Sequence, residues 1–418
     1  MRQILFPDNE SFWYETLRSF DHIAYGGADF AEVLVISDQI TAGDNDSWHD
    51  AYLAAADRIA AEADDALRGG HRISARDGLL RAHSYYRSAD FFLHGHPDDP
   101  RHYHAFDRSV ECFQAAARLF TTPARPVEIP YENTTLPGYF YRAEGDPGIP
   151  RPTVITHTGF DGTAEEMHFQ GAAAGAERGY NVLSFDGPGQ GSALHRQHLV
   201  FRPDWENVIG PVVDYARALP GVDGEKIALW GLSMGGMLAP RAAAFEHRLA
   251  AVIAVDGIYD IGQTVRAQAG DIPDLEQRLR AGDDPEADAL IARQMAASPS
   301  MRWEIALAQY AFGAPGPRQA CAAFLDYHLR DGIAEKIACP ALICDAPSDL
   351  FLAGQRQPRQ LFDHLTCPKT FLQFTEDEGA DAHCQVGAQR LALARIYNWL
   401  DDTLGASDKL HGTSNENR

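Results

Sequence analysis

Up to about residue 125, apolar side chains recur at the three- and four-residue spacing of a helix. Phe12, Leu17 and Phe20 keep this spacing, and so do the apolar residues from 52 to 66, a stretch rich in strong helix formers. Two further helices are predicted over residues 74–93 and 103–120. No strand pattern interrupts them. Residues 1–125 are therefore predicted to form an N-terminal helical domain, which would either pack passively or cap an active site.

Beyond this region the pattern changes to short apolar runs. Residues 127–132 and 136–142 predict two strands joined by a hairpin turn. Strands are then predicted over residues 153–156, 182–185, 227–230, 251–255, 339–344 and 370–374, and helices over 164–178, 205–219, 237–245 and 386–404. Alternation of this kind predicts an α/β fold, a mostly parallel sheet with helices on both faces. Functional side chains are expected at the C-terminal ends of its strands.

The strand pattern stops between residues 261 and 336, where residues 273–298 and 302–330 have helical patterns. A long helical insertion between two core strands is typical of a lid. It divides the predicted α/β core into residues 126–260 and 337–405. Residues 406–418 are polar and are predicted to be a disordered tail.

Charge and composition exclude several classes of partner. The 418 residues include 36 Lys and Arg against 59 Asp and Glu, a formal charge of 36 − 59 = −23. Such an acidic surface repels nucleic acid and anionic membranes, so neither is expected as a partner. No apolar run approaches the length of a membrane-spanning helix, and no signal peptide is recognised. Six scattered cysteines without a Cys-x-x-Cys motif predict reduced thiols in a cytoplasmic protein.

One stretch, residues 226–237, combines a buried strand pattern, the sequence Gly-x-Ser-x-Gly and the start of a helix. A serine on such a tight strand-to-helix turn is held in a strained conformation, with its hydroxyl exposed at the helix N-terminus. Gly231 and Gly235 have no Cβ, so the strand and helix can approach closely around it. Ser233 is therefore predicted to be a catalytic nucleophile.

A serine hydroxyl needs a histidine as base and an acid that orients the histidine. Such a strand–serine–helix turn is called a nucleophile elbow. In chains that contain one, the three residues follow one another along the sequence in the order serine, acid, histidine. Asp349 lies in the loop after the next core strand and is predicted to be the acid, whereas Asp345 lies at the strand end, too early for that loop. His383 is the one histidine of 17 between the last strand and the last helix, and it is predicted to be the base.

Acyl chemistry also needs donors for the developing oxyanion. One is predicted to be the backbone N–H of Met234, directly after the nucleophile. The other should come from the loop after the strand 153–156; the N–H of Phe160 is the first choice and that of Gly159 the second. The glycine-rich residues 187–191 lack the Gly-Lys-Ser/Thr ending of a phosphate loop and predict a turn. No metal spacing is recognised, and no cofactor is expected.

Several motifs resemble one group of α/β-hydrolases: residues 231–236, 239–248 and 255–260, together with 186–191 and 378–383. The group contains the fungal yellowish-green-1-type polyketide-shortening hydrolases, bacterial 2,6-dihydroxypseudooxynicotine hydrolase and the FrsA-like esterases. The resemblance covers the core and implies an α/β-hydrolase fold with an N-terminal helical cap domain and a helical lid insertion. It also allows a homodimer formed through the helical domain.

This resemblance implies hydrolysis of an ester, or of a carbon–carbon bond next to a carbonyl, in a small-molecule substrate. The nicotine-pathway hydrolase of the group carries an extra acid shortly after the strand that follows the elbow. Residues 261–270 contain no acid here, and Asp260 is the nearest. This departure favours an acyl or polyketide-like substrate.

Two other functions stay open. The same triad could serve an acyltransferase or cyclase in which another nucleophile replaces water, and a hydrolase fold can persist as a non-catalytic binding module. The second is disfavoured, because all three triad positions are filled. Tyr85, Tyr86 and Trp303 are the aromatic candidates for contacts with a flat substrate.

Overall fold

The computed structural model describes residues 3–143, 145, 148–270, 272–352 and 356–405. The disordered tail predicted for residues 406–418 lies outside the described residues. Five helices precede the sheet: α1 (Glu10–Asp21), α2 (Phe30–Ser37), α3 (Asn45–Arg68), α4 (Arg72–Asp90) and α5 (Pro100–Ala117). Helix α2 was not among the predicted helices, because its eight residues are mostly apolar and show no helical period.

Side-chain caps and apolar faces explain the N-terminal helices. The Asp44 carboxylate accepts hydrogen bonds from the amides of Asp46 and Ser47 at the start of α3, which satisfies donors that a helix leaves free. The buried faces form one apolar cluster, which extends from Trp48 and Tyr52 to Trp230 in the sheet. The helices therefore share a core with one face of the sheet.

The eight strands are β1 (Arg125–Tyr131), β2 (Thr134–Tyr141), β3 (Arg151–His157), β4 (Asn181–Phe185), β5 (Val222–Leu232), β6 (Ala251–Val255), β7 (Ala341–Asp345) and β8 (Lys369–Gln373). They form one sheet in the order β1-β2-β4-β3-β5-β6-β7-β8. The pairs β1–β2 and β2–β4 are antiparallel, and all other pairs are parallel. The predicted mostly parallel sheet is confirmed. Its central strands are fully buried, as expected for a sheet covered on both faces.

The helices that connect or follow the strands are α6 (Ala172–Glu177), α7 (Gly191–His195), α8 (Glu206–Ala218), α9 (Gly235–Ala243), α15 (Gln357–His364) and α16 (Gln389–Leu404). The single helix predicted over residues 164–178 is wrong. A short 3-10 turn, Glu166–His168, precedes α6, and the non-helical backbone of Gly171 separates the two.

Five helices lie between β6 and β7: α10 (Ile261–Ala269), α11 (Leu275–Arg280), α12 (Pro285–Ala297), α13 (Pro299–Ala311) and α14 (Pro317–Ala323). They pack around a small apolar cluster of their own, which includes Leu279, Ile291 and Ile305. A search of the described helices finds none that combines the length and apolarity needed to cross a membrane.

Candidate active site

Ser233 lies on the sharp turn between β5 and α9. Its backbone φ is +59°, a left-handed conformation that a residue with a side chain rarely adopts. The strand and helix come so close that a Cβ on Gly231 would lie 2.0 Å from the carbonyl oxygen of Gly235. The sequence Gly-x-Ser-x-Gly therefore permits a turn that other residues would block, and this turn presents the serine hydroxyl at the strand end.

Three side chains from different loops form one row of hydrogen bonds. Ser233 Oγ lies 2.8 Å from His383 Nε2, and His383 Nδ1 lies 2.6 Å from Asp349 Oδ2. The other Asp349 oxygen accepts the amides of Phe351 and Leu352 at 2.8 and 3.0 Å, which fixes the carboxylate. The structure thus places the three predicted residues in mutual contact. Asp345 is the last residue of β7, and within the described chain it forms no hydrogen bond or ion pair with His383.

A second carboxylate, which the sequence analysis overlooked, also contacts His383. Asp256 follows β6 directly and places Oδ2 3.1 Å from His383 Nδ1. It also accepts the amide of Cys384 at 2.6 Å and the side chain of Gln385 at 3.2 Å. Both of these residues have a positive φ. Asp256 therefore holds the strained loop that carries His383.

The polar contacts of Asp260 lie away from His383. Asp260, considered as the nearest acid, instead caps α10 through the amide of Gly262 and pairs with Arg266 at 2.7 Å. A signal for Asp256 was available, because it stands at the C-terminal end of a parallel strand, where functional side chains gather.

Electrostatics at His383 favour its charged form. Burial alone would lower the pKa of His383, but Asp349, with further contributions from Cys384 and Asp256, holds it well above its usual range. Burial also raises the pKa of Asp256 to about 6, because the lowering effect of His383 is offset by the neighbouring Asp349 carboxylate. The site is therefore built to stabilise an imidazolium, the state that a general base reaches after accepting a proton.

The loop after β3, residues 158–163, contacts the turn that carries Ser233. We call it the oxyanion loop, because it carries the predicted donor Phe160. A Cβ on Gly159 would lie 2.6 Å from the Met234 nitrogen, so only glycine allows this approach. The glycine at position 159 therefore allows close backbone packing, and its amide stays the second predicted choice for an oxyanion donor. Within the described residues, no protein acceptor is found for the amide of Phe160 or of Met234. These two donors remain free for an oxyanion.

Gln190 fixes this loop from the neighbouring strand end. Its side-chain nitrogen donates to the carbonyl oxygens of Thr158 and Gly159 at 2.7 and 2.9 Å. Its side-chain oxygen accepts the amide of Gly187 at 2.9 Å. The glycine-rich residues 187–191 thus form a turn that supports the loop.

The N-terminal helices hold the same loop through buried charges. Arg18 on α1 forms two hydrogen bonds of 2.7 Å with Glu166 and one of 3.0 Å with Asp161. Arg87 on α4 pairs with Glu15 at 3.0 Å and lies 3.4 Å from Glu166. Burial would raise the pKa of Glu166, but Arg18 and then Arg87 hold it well below its usual range. The sequence analysis missed this cluster, since its members are far apart along the chain.

The predicted aromatic contacts separate into two kinds. Tyr85 and Tyr86 are fully buried between helices, and their hydroxyls donate to Glu32 and Asp57. Their prediction as substrate contacts is wrong, because helix packing leaves neither ring accessible. Trp303 is only partly buried; its ring lies against Phe91, and its nitrogen donates to the Phe91 carbonyl at 3.0 Å.

A cavity that is partly open to solvent lies between the N-terminal helices, the insertion and the loop after β7. Its walls include Trp303, Tyr14 and Phe351. The Tyr14 hydroxyl donates to the His383 carbonyl at 3.4 Å, and the Phe351 ring centroid lies 4.8 Å from that of His383. We call this space the His383 cavity.

One group of side chains in the described chain could in principle hold a metal ion: Asp256, His383 and Cys384. Their ligand atoms lie within 4.8 Å of one another. However, His383 Nδ1 already bonds to Asp349, and burial raises the pKa of the Cys384 thiol to about 12, which disfavours the thiolate that binds metals. The hydrogen-bonded arrangement accounts for the three residues without a metal.

The sheet topology, the strained serine turn and the row of serine, histidine and aspartate define an α/β-hydrolase. The chain belongs to this family: residues 153–396 match its sequence profile, described as the Alpha/beta hydrolase family. The predicted resemblance and fold are confirmed, and the chain is an enzyme of this family.

Relatives extend over nearly the whole chain. "Hydrolyase poxO" of Penicillium oxalicum is 34% identical and covers 96% of this chain and 99% of its own. "20-hydroxy-prefusarin hydrolase FUS2" of Gibberella moniliformis is 31% identical, with 94% and 97% covered. Among solved structures, 2,6-dihydroxy-pseudo-oxynicotine hydrolase has a TM-score of 0.71 at 23% identity, covering 93% of this chain and 96% of its own. At that identity the likeness shows the fold, including its N-terminal helices.

Proposed function

We propose that this enzyme is a serine hydrolase that cleaves an ester, or a carbon–carbon bond next to a carbonyl, in an apolar, polyketide-like substrate. The observation that carries the proposal is the continuous row from Ser233 Oγ through His383 to Asp349, at 2.8 and 2.6 Å. Such a row activates a hydroxyl that is otherwise a weak nucleophile at neutral pH.

In this mechanism Ser233 Oγ bonds to the substrate carbonyl carbon as its proton passes to His383 Nε2. The carbonyl oxygen becomes an oxyanion and accepts hydrogen bonds from the amides of Phe160 and Met234. The bond to the leaving group then breaks with its electron pair on that group, which takes the proton from His383. Water, deprotonated by His383 in the same way, releases the acid and restores Ser233.

The two bond types differ in the leaving group. An alkoxide leaves an ester and takes the proton on oxygen. In carbon–carbon cleavage the electron pair is left on carbon, so a second carbonyl must stabilise it as an enolate before His383 protonates it. A 1,3-dicarbonyl unit, frequent in polyketides, meets this requirement.

Two observations support the substrate class. A relative that is 31% identical over nearly its whole length is named for the hydrolysis of 20-hydroxy-prefusarin. Aromatic rings, among them Phe91, Phe92 and Trp303, form part of the wall of the His383 cavity and offer apolar contacts to a substrate.

We further propose that residues 1–125 act as a cap and residues 261–336 as a lid. Tyr14 from the first region lies against His383, and Trp303 from the second is bonded to Phe91 of the first. The first contact brings a helical side chain to His383, where a carbonyl-cleaving site must exclude bulk water, and the second joins the lid to the cap.

The nucleophile is tested by covalent labelling. A fluorophosphonate probe, followed by peptide mass spectrometry, is expected to modify Ser233 and to leave the Ser233→Ala variant unmodified. Ser300→Ala is the matched control, because Ser300 is an exposed serine at the wall of the His383 cavity and should not affect labelling. Modification that persists in Ser233→Ala would contradict the proposal.

The bond type is tested with two series of substrates. Activated aryl esters report ester cleavage, and aryl 1,3-diketones report carbon–carbon cleavage. Turnover of either series that is lost in Ser233→Ala identifies the reaction. Transfer of the acyl group to an added alcohol or amine in preference to water would instead identify an acyltransferase.

A further inference from the structure

A second cavity lies inside the insertion and shares a wall with the His383 cavity. It is partly open to solvent, and all the residues that line it belong to the insertion. Gln268, Met301 and Glu304 line both cavities, so the two spaces adjoin at these side chains. We call the second space the insertion cavity.

The walls of the insertion cavity are predominantly apolar, with Val265, Leu279, Leu290 and Ile291 among them. Its wall residue Phe324 packs on Phe160 of the loop after β3, with ring centroids 5.4 Å apart. The insertion cavity therefore lies next to the loop that carries the predicted oxyanion donor, and its apolar walls suit an apolar end of a substrate.

Glu304 is one of two charged residues in this wall. Within the described chain its carboxylate has neither a salt bridge nor a hydrogen bond, and the residue is only partly exposed, so its charge lacks the full solvation of the protein surface. The other charged residue of the wall, Arg278, is paired with Asp284 at 2.8 Å. Burial raises the pKa of Glu304 to about 7, so near neutral pH the carboxylate is held ready for a partner that would neutralise it.

We propose that Glu304 binds an amino group of the substrate, whose apolar chain occupies the insertion cavity. This substrate class deepens the proposed hydrolase function and rests on it. An ammonium group is the best complement of an unpaired carboxylate in apolar surroundings, since the pair is charge-assisted and neutral overall. Glu304 sits where the two cavities meet, so the amine would lie between the reacting carbonyl and the apolar end.

Direct binding tests this assignment without turnover. Decylamine and decan-1-ol are titrated calorimetrically into the Ser233→Ala protein, alone and combined with Glu304→Gln. We expect decylamine to bind at least tenfold more tightly than decan-1-ol. Glu304→Gln should weaken decylamine roughly tenfold or more and change decan-1-ol by less than twofold, because it removes the charge and keeps the shape.

The matched control is Glu62→Gln, which removes an exposed carboxylate on α3. It should leave the affinities for decylamine and decan-1-ol unchanged. This control distinguishes an ion pair formed by Glu304 from general attraction of the amine to the −23 net charge of the chain. If Glu304→Gln binds decylamine as tightly as Glu62→Gln does, Glu304 is not the amine partner and the inference is overturned.

A second measurement connects the cavity to the reaction site. In the protein with Ser233 intact, decylamine should slow fluorophosphonate labelling of Ser233, and Glu304→Gln should remove this protection. Tight amine binding without protection would place the amine outside the substrate site and overturn the inference. Failure of labelling in the absence of amine would instead contradict the hydrolase proposal, so the two failures are distinct.

Discussion

The N-terminal helices and the insertion both reach the strand ends, but they are attached to them differently. Arg18 and Arg87 of the first region are buried and bind Glu166 and Asp161, which belong to the segment that carries the oxyanion loop. The insertion also has a buried arginine, Arg318, yet its partners are Asp288 and backbone carbonyls of residues 278–282, all within the insertion.

This difference indicates which part of the enzyme can be substituted without disturbing the chemical step. The side formed by the N-terminal helices and the strand ends is packed and paired, so a change there disturbs the reacting groups. The insertion encloses an apolar cavity, its buried arginine is paired within it, and its contact with Phe160 is made by the rings of Phe312 and Phe324 and not by charges. We expect changes in it to alter the choice of substrate and to leave the chemical step intact.

The largest loss of activity is expected from a change at the strand ends, which lie beneath both the N-terminal helices and the insertion. Asp349→Asn should lower kcat by roughly 10³- to 10⁴-fold for every substrate, because the amide no longer stabilises the His383 imidazolium or its orientation. Steady-state kinetics with a small aryl ester and with a longer substrate measure it.

Asp345→Asn is the matched control, since Asp345 ends β7, just before the loop that carries Asp349, and among the described residues it has no hydrogen bond or ion pair with His383. It should retain nearly full turnover. If Asp345→Asn were the damaging change and Asp349→Asn harmless, the acid would be misassigned.

Substitution of the buried arginines tests whether the N-terminal helices support the reacting groups more than the insertion does. Arg18→Met leaves Glu166 buried without its main partner, so the free energy of unfolding should fall by about 3 kcal/mol. Since Arg18 also holds the oxyanion loop, kcat for a small aryl ester should fall roughly 10-fold or more. Urea denaturation and ester kinetics provide the two measurements.

Arg318→Met removes the equivalent buried charge from the insertion. It should also reduce stability, but kcat for the small ester should stay within about twofold of the unchanged protein, as expected if the insertion does not hold the reacting groups. Equal losses of ester turnover in both variants would show that the two regions support the site alike.

The smallest expected effect concerns pH. Asp256→Asn keeps an acceptor for the Cys384 amide and removes a negative charge 3.1 Å from His383 Nδ1. Since this charge raises the pKa of His383, its removal lowers that pKa, and the neutral base persists to lower pH. The rising limb of kcat/KM against pH should therefore move to lower pH, by roughly one unit. A shift to higher pH would contradict the sign.

The sequence by itself determined the elements whose signals are local. The strand, the Gly-x-Ser-x-Gly turn and the following helix are contiguous, and a close strand–helix approach is possible only with those glycines. Chain order then sufficed to select Asp349 and His383, because parallel strands bring the loops after β7 and β8 to one edge beside the elbow. The alternating pattern likewise predicted the mostly parallel sheet.

Only the tertiary structure decided the groups that depend on distant packing. Arg18 and Glu166 meet across 148 residues, and Tyr14 reaches His383 across 369, so no local pattern reveals either contact. Packing also buried Tyr85 and Tyr86 between helices and left Glu304 unpaired where two cavities meet. Residue type and spacing determine which chemistry a side chain is capable of. Its neighbours and its exposure depend on how distant elements pack, and they decide whether the side chain can perform that chemistry.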